Sequence, residues 1–266
     1  MITQWKPETV GCKRVTRDSC RISAQPGISQ GWDSREQRVM DSLKQDESGA
    51  GVIQRQSVAS QVYLDLRSRI LSGQIPQGER LVEATIARSL GTSRAPVREA
   101  VNRLMEAGLL ENRTHFGPSV VQMSRGKIRE LYAVRNAIES LAIQAVARRH
   151  SKNDLVELRR LIAVMTERAG ARDLPGLVEA ELVFHETLWR MADNPYVEKI
   201  AGLLFDHMRL ALTADNGSYR NLLDVAREHE PLVDAIETGD PDKATQALTH
   251  HIMSSIETFG ANPAVD

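Results

Sequence analysis

From residue 58 onward, apolar residues recur every three or four positions, and short clusters of Gly, Pro and Asn cut that rhythm into helices. Val62, Leu66, Ile70 and Leu71 define a first helix that Gly73 ends. Residues 82–104 follow as VEATIARSLGTSRAPVREAVNRL. Counted from Glu83, the fifth residue is small (Ala87), the eighth is Leu90, the ninth is Gly91 and the fifteenth is Val97. This spacing predicts two short helices crossing steeply around a tight turn. Ala87 permits close approach, Gly91 can take the positive φ of the turn, and Leu90 and Val97 fill the wedge. Two short strands, 109–113 and 119–123, flank a turn at 114–118 and read as a wing.

The second helix of the pair can be placed residue by residue. Ser93 is a natural N-cap and Pro96 sits in the first turn, where a missing N–H costs nothing. Val97, Ala100, Val101 and Leu104 form its inward face, and Gly108 ends it. Arg94 and Arg98 then share the outward face near the N-terminal end, the end that meets base edges in a helix-turn-helix. Arginine can bind guanine O6 and N7 in bidentate fashion. The alternative is that both are ordinary solvated side chains.

From residue 124 the pattern is helical throughout. Helices are expected over 124–150, from Ser151 onward, and over 174–191, 196–213, 219–237 and 242–259. Asp193-Asn194-Pro195 and Thr238-Gly239-Asp240-Pro241 are strong breaks. The expected fold is therefore mostly α: an N-terminal winged helix-turn-helix with a small β-wing, then an all-α antiparallel helical bundle. The leucine-rich stripes are core first and dimer surface second. The expected division is a disordered extension at 1–57, the winged helix at 58–123, the bundle at 124–259 and a tail at 260–266.

Charge adds little. The chain carries a formal net charge of −1. Residues 58–123 hold eight Arg and no Lys against six Asp plus Glu, a slight positive bias. Nonspecific attraction to DNA is then weak, and a dimer would help to secure useful affinity. No apolar run approaches the roughly 20 residues of a membrane span, and no secretory signal stands at the N-terminus. Cys12 and Cys20 match no metal spacing and read as free thiols of a cytoplasmic protein. Met40 precedes Val58 by a short lead-in and is an expected start of translation.

The bundle holds a second informative pattern. Glu181 and His185, four apart, project from one helix face; His229 lies on a later helix and His251 on the last. One carboxylate and three imidazoles could converge on a divalent cation, with Zn²⁺, Ni²⁺ or Mn²⁺ suited to such ligands. Histidines that merely cap helices or hydrogen-bond are the alternative. Open positions on a metal could also activate water, so a metalloenzyme fused to a DNA-binding module is the rival reading. A third is a regulator with a metal-free structural cavity. No phosphate loop or nucleophile elbow supports other chemistry.

Residues 58–123 resemble the winged helix of the GntR family of bacterial transcription regulators, and SRAPVREAVNRLMEAGLL is similar to its FadR-like branch. The resemblance implies that Ser93, Arg94 and Arg98 occupy operator-contacting positions. In the wing, Arg113 and Gly117 match the branch's arginine-proline-x-arginine-glycine, while Thr114 and Phe116 replace proline and arginine; His115 could partly substitute. Residues 124–259 resemble the helical FCD ligand-binding domain of that branch, whose metal pattern fits Phe184-His185, Glu228-His229 and His251. Glu181 stands where aspartate is usual, moving the carboxylate by about an ångström. Arg135 matches an arginine that can face the effector cavity and clamp a carboxylate; the bland reading is an ion pair with Glu139. The resemblance thus implies a homodimeric repressor, not an enzyme, that binds a palindromic double-stranded operator and senses a small organic acid beside a divalent metal.

Overall fold

In a computed structural model, residues 57–114 and 116–260 are described. The expectations for residues 1–56, Cys12, Cys20, Met40, His115 and residues 261–266 lie outside them. The first helix, α1 (Val58–Leu71), buries Ala59, Val62, Leu66 and Ile70 at helical spacing. It packs on α3 (Arg94–Glu106), whose buried face is Val97, Ala100, Val101 and Leu104. Between them α2 (Glu83–Ser89) crosses α3, and Gly91 takes a φ of +62° at the turn. A side chain there would be strained, so the turn needs its glycine. Val97 is fully buried and Leu90 partly so, filling the wedge as expected. Ser93 stands at the N-cap of α3 with extended backbone, but its hydroxyl makes no capping bond.

The wing is an antiparallel pair, β1 (Leu110–Arg113) and β2 (Gly117–Val120), running from Leu110 opposite Val120 to Arg113 opposite Gly117. It is therefore shorter than the sequence pattern suggests, and β2 begins two residues early. Gly117, with φ at +83°, turns the chain directly into the ladder. Pro118 can follow because its carbonyl accepts from Leu81 N–H at 2.8 Å on the outer side. Glu79 O accepts from Val120 N–H at 2.8 Å, so the 79–81 segment covers that edge of the sheet.

Seven helices follow: α4 (Arg125–Arg149), α5 (Lys152–Gly170), α6 (Leu174–Met191), α7 (Pro195–Asn216), α8 (Leu222–Arg227), α9 (Glu230–Glu237) and α10 (Pro241–Gly260). Their starts follow from capping chemistry. Ser124 accepts from Lys127 N–H, Ser151 and Asp154 form a reciprocal capping box, and Asn194 accepts from Tyr196 and Val197 N–H before α7. The single helix expected over 219–237 is instead two, broken at Glu228–His229. Pro231 causes the break: it has no N–H to give the Arg227 carbonyl, and its ring would crowd that group.

The wide apolar face of α4 also divides. Ile128, Ile143 and Val146 enter the core, whereas Val134 and Leu141 are 49% and 60% exposed. The winged helix and the bundle meet along α7. Arg67 on α1 forks onto Asp206, Nε to Oδ2 at 2.6 Å and Nη2 to Oδ1 at 2.5 Å. Gln77 donates to the Leu210 carbonyl at 3.0 Å and accepts from Met123 N–H at 2.9 Å. The His207 ring nitrogen Nε2 bonds the Ala107 carbonyl at 3.0 Å, just past the end of α3.

Candidate DNA-reading face and candidate metal centre

Ser93, Arg94 and Arg98 lie exposed on one side of the start of α3. The two guanidinium groups converge on Glu83 of α2, at 3.9 and 4.0 Å, while keeping 71% and 73% of their side chains in solvent. One carboxylate thus holds two cations side by side without burying either. In the wing, the half-exposed Arg113 donates to Glu111 at 3.1 Å and to Gln122 at 3.3 Å. The sequence reading missed Arg80, whose guanidinium lies 5.9 Å from the centre of the exposed Phe116 ring. It reaches the wing from the 79–81 segment, a tertiary placement with no periodic signal.

The second constellation lies inside the bundle. Glu181 and His185 come from α6, His229 from the break between α8 and α9, and His251 from α10. All four are buried, and one ligand atom from each lies within 4.8 Å of every other. The helix break places His229 here: its Nδ1 bonds the Val225 carbonyl at 2.8 Å. That nitrogen must carry the proton, so Nε2 presents a lone pair. His185 Nε2 accepts from Arg135 Nη2 at 2.5 Å and is likewise a lone pair. The two acceptor nitrogens lie 3.4 Å apart, and neither carries a proton to bridge the gap. Neither nitrogen of the buried His251 has a hydrogen-bond partner.

Such an arrangement suits a cation. Two Zn–N bonds in tetrahedral geometry place the nitrogens about 3.3 Å apart. Glu181 offers Oε1, 3.9 Å from His229 Nε2, while Asn216 on α7 donates to its Oε2 at 2.7 Å. The widest separations, up to 4.8 Å, would have to contract by up to about 1.5 Å on binding. Burial lowers the basicity of all three imidazoles, His229 to about 3, so they stay neutral as metal ligands require. Burial also raises the Glu181 carboxyl to about 7, against the pull of Asn216 and Arg135.

Arg135 is buried rather than lining a surface. Its Nε donates to Glu139 Oε1 at 2.7 Å, and both side chains are 1% exposed. Burial would raise the Glu139 carboxyl, but Arg135 and His185 outweigh it and hold it at about 2. The other Glu139 oxygen lies 3.0 Å from His185 Nδ1, off the line of a good hydrogen bond. The i, i+4 pair expected from the sequence therefore exists, and it touches the His185 ring as well. The sequence reading missed Asn216, Tyr132 and Asp215. The Tyr132 hydroxyl meets Asp215 Oδ2 at 3.2 Å, and burial pushes the Asp215 carboxyl up to about 8.

Two family models match the chain. Residues 58–120 match bacterial regulatory proteins of the gntR family, and residues 130–254 match the FCD domain. A probable D-xylose utilization operon transcriptional repressor of Paenarthrobacter nicotinovorans is 36% identical over 213 residues, 80% of this chain and 93% of the relative. The gluconate operon transcriptional repressor of Bacillus subtilis is 28% identical over 204 residues, 74% of this chain and 82% of the relative. A GntR regulator from Rhodococcus sp. RHA1 superposes with a TM-score of 0.64 at 23% identity, covering 77% of this chain and 98% of that one. McbR/YncC of Escherichia coli gives 0.61 at 21% identity over 77% and 98%, and both show the same fold. The relatives are regulators and not enzymes, which removes the support for a metalloenzyme. The chain belongs to the GntR family of bacterial transcription regulators and carries an FCD domain.

Proposed function

We propose that this regulator is a cytoplasmic repressor that binds a palindromic operator as a homodimer and releases or remodels that contact when a small organic acid binds beside a metal in the bundle. The observation that carries the sensing half is the buried cluster of Glu181, His185, His229 and His251, in which two acceptor nitrogens lie 3.4 Å apart. These four residues would hold Zn²⁺, Ni²⁺ or Mn²⁺, and such an ion would supply a positive pole for a carboxylate. Arg135 stands against the same cluster as a second cationic group. The relatives named for D-xylose utilization and gluconate operons support a sugar or sugar acid as the effector class.

On the DNA side, Ser93, Arg94 and Arg98 read or position the operator, with Arg113, His115 and Gly117 in the wing. Arg80 adds a cation beside Phe116, where the branch's usual wing arginine is missing. Homodimerisation is supported by the exposed apolar stripe of Val134 and Leu141 on α4 and by Tyr196 and Leu203 on α7, each of the latter 76% exposed. A two-fold dimer would present two α3 helices to successive half-sites.

The test is binding of the purified full chain to DNA flanking its own gene, by fluorescence anisotropy at fixed salt, with random DNA as the reference. Metal content is measured on the same preparation. Saturable, sequence-specific binding that a sugar acid weakens would support the reading. Binding no tighter than to random DNA, with and without Zn²⁺, would overturn it.

A further inference from the structure

We propose that Arg135 is the resident cation of the buried cluster in the metal-free protein, and that a divalent ion must displace its Nη2 from His185 to bind. The inference rests on the metal reading above. A neutral imidazole has one lone pair, and that of His185 is on Nε2, which lies 3.4 Å from His229 Nε2 within the cluster. Arg135 Nη2 already donates to the same nitrogen at 2.5 Å. One lone pair cannot serve a guanidinium N–H and a metal at once. Metal binding through His185 Nε2 therefore breaks this hydrogen bond.

The rest of the guanidinium is anchored. Its Nε holds Glu139 Oε1 at 2.7 Å, and Tyr132 presents its ring 5.2 Å from Cζ. Arg135 is 2% exposed, so it cannot swing out to water. Displacement is then a small rotation that frees Nη2 while the Glu139 pair persists. A buried N–H without an acceptor is unfavourable, and the freed donor lies beside the metal's own position. An anionic or hydroxylated ligand satisfies both at once. Metal and ligand thereby raise one another's affinity, with the metal binding first. Glu139 is the pivot, because it bonds Arg135 and also stands 3.0 Å from His185 Nδ1.

Two measurements on the metal-stripped full chain test this. Co²⁺ titration, followed by d–d absorption, compares wild type with Arg135→Met. The variant, freed of the competitor, is expected to bind Co²⁺ about tenfold to a hundredfold more tightly, the range of a hydrogen bond from a charged donor. Equal or weaker affinity in a folded variant would overturn the proposal. Nitrogen-15 NMR of the wild type needs no mutation. One equivalent of Zn²⁺ should shift the ring nitrogens of His185 and His229 and remove the protected Arg135 Nη–H signal together. Ring nitrogens that shift while that signal persists would sink the displacement and leave the metal site standing. Ring nitrogens that stay put would defeat the metal reading itself, and the displacement with it.

Discussion

Arg94 and Arg98 lie side by side and largely in water, each at a loose ion-pair distance from Glu83, 3.9 and 4.0 Å. If Arg98 reads a base, Arg98→Ala should weaken operator binding by about 1–3 kcal/mol and relax preference at one position; anisotropy at matched salt would show it, and unchanged affinity would remove Arg98 from the reading set. Inside the bundle, Asp215 makes a different prediction. Its carboxyl ordinarily titrates near 3.8 and is raised to about 8 chiefly by burial, so the folded state holds the proton more tightly. Its stabilising effect is complete below 3.8 and is lost as pH rises toward 8. His229, lowered to about 3 from 6.5, acts oppositely: stability falls as pH drops below 6.5. Between about pH 6.5 and 8 the carboxyl effect acts without the histidines, so metal-free wild type should melt lower at pH 8 than at pH 7. Glu181, raised to about 7, contributes to the same slope, so Asp215→Asn should reduce it in a thermal melt without abolishing it. The Glu181–His185 pair was legible from its i, i+4 spacing, and the family resemblance implied His229 and His251, which lie on other elements. Asn216, Asp215 and the Arg135–His185 bond were not, because each joins residues at least 35 positions apart.

At the scale of elements, the departures from periodicity have identifiable causes. An apolar repeat over 219–237 cannot reveal the break at His229, because both sides of the break face the same core. Pro231 was visible, yet proline at the first turn of a helix is as ordinary as proline at a kink. That break aims His229 Nε2 into the cluster through the Val225 bond to Nδ1. Pro231→Ala should let α8 and α9 fuse and rotate that ring away, lowering Co²⁺ affinity about tenfold or more while circular dichroism stays helical. Retained affinity would show that packing alone holds His229 in place. The wing began early because Gly117 turned it, a backbone freedom that hydropathy does not encode. Along α4, Ile128 and Ile143 are buried while Val134 and Leu141 are exposed, and apolar spacing alone carries no label for core or partner.

For the whole molecule, Leu141 on the outward half of α4 is the residue to test for self-association. Leu141→Glu should convert a dimer to a monomer in sedimentation and abolish binding to a two-half-site operator while circular dichroism stays helical, since Leu141 lies outside the core of the single chain. A dimer that survives would move the interface elsewhere. Among the described residues no helix is long and apolar enough to cross a membrane. The helix that joins the two halves of the molecule is α7. Near its C-terminal end Asn216 holds Glu181; one to three turns back, Leu210, His207 and Asp206 hold Gln77, Ala107 and Arg67. At about 1.5 Å per residue, these grips lie on a rod only some 15 Å long. Gly108 belongs to the joint as well, because a Cβ there would come within 2.6 Å of His207 Nε2. Exchange of DNA-binding halves between members of this family is therefore not free at this seam. A transplanted winged helix lacking a cation for Asp206, an amide at position 77 or a glycine at 108 would lose these contacts with the bundle, and on the function proposed above is expected to bind its operator without responding to an effector.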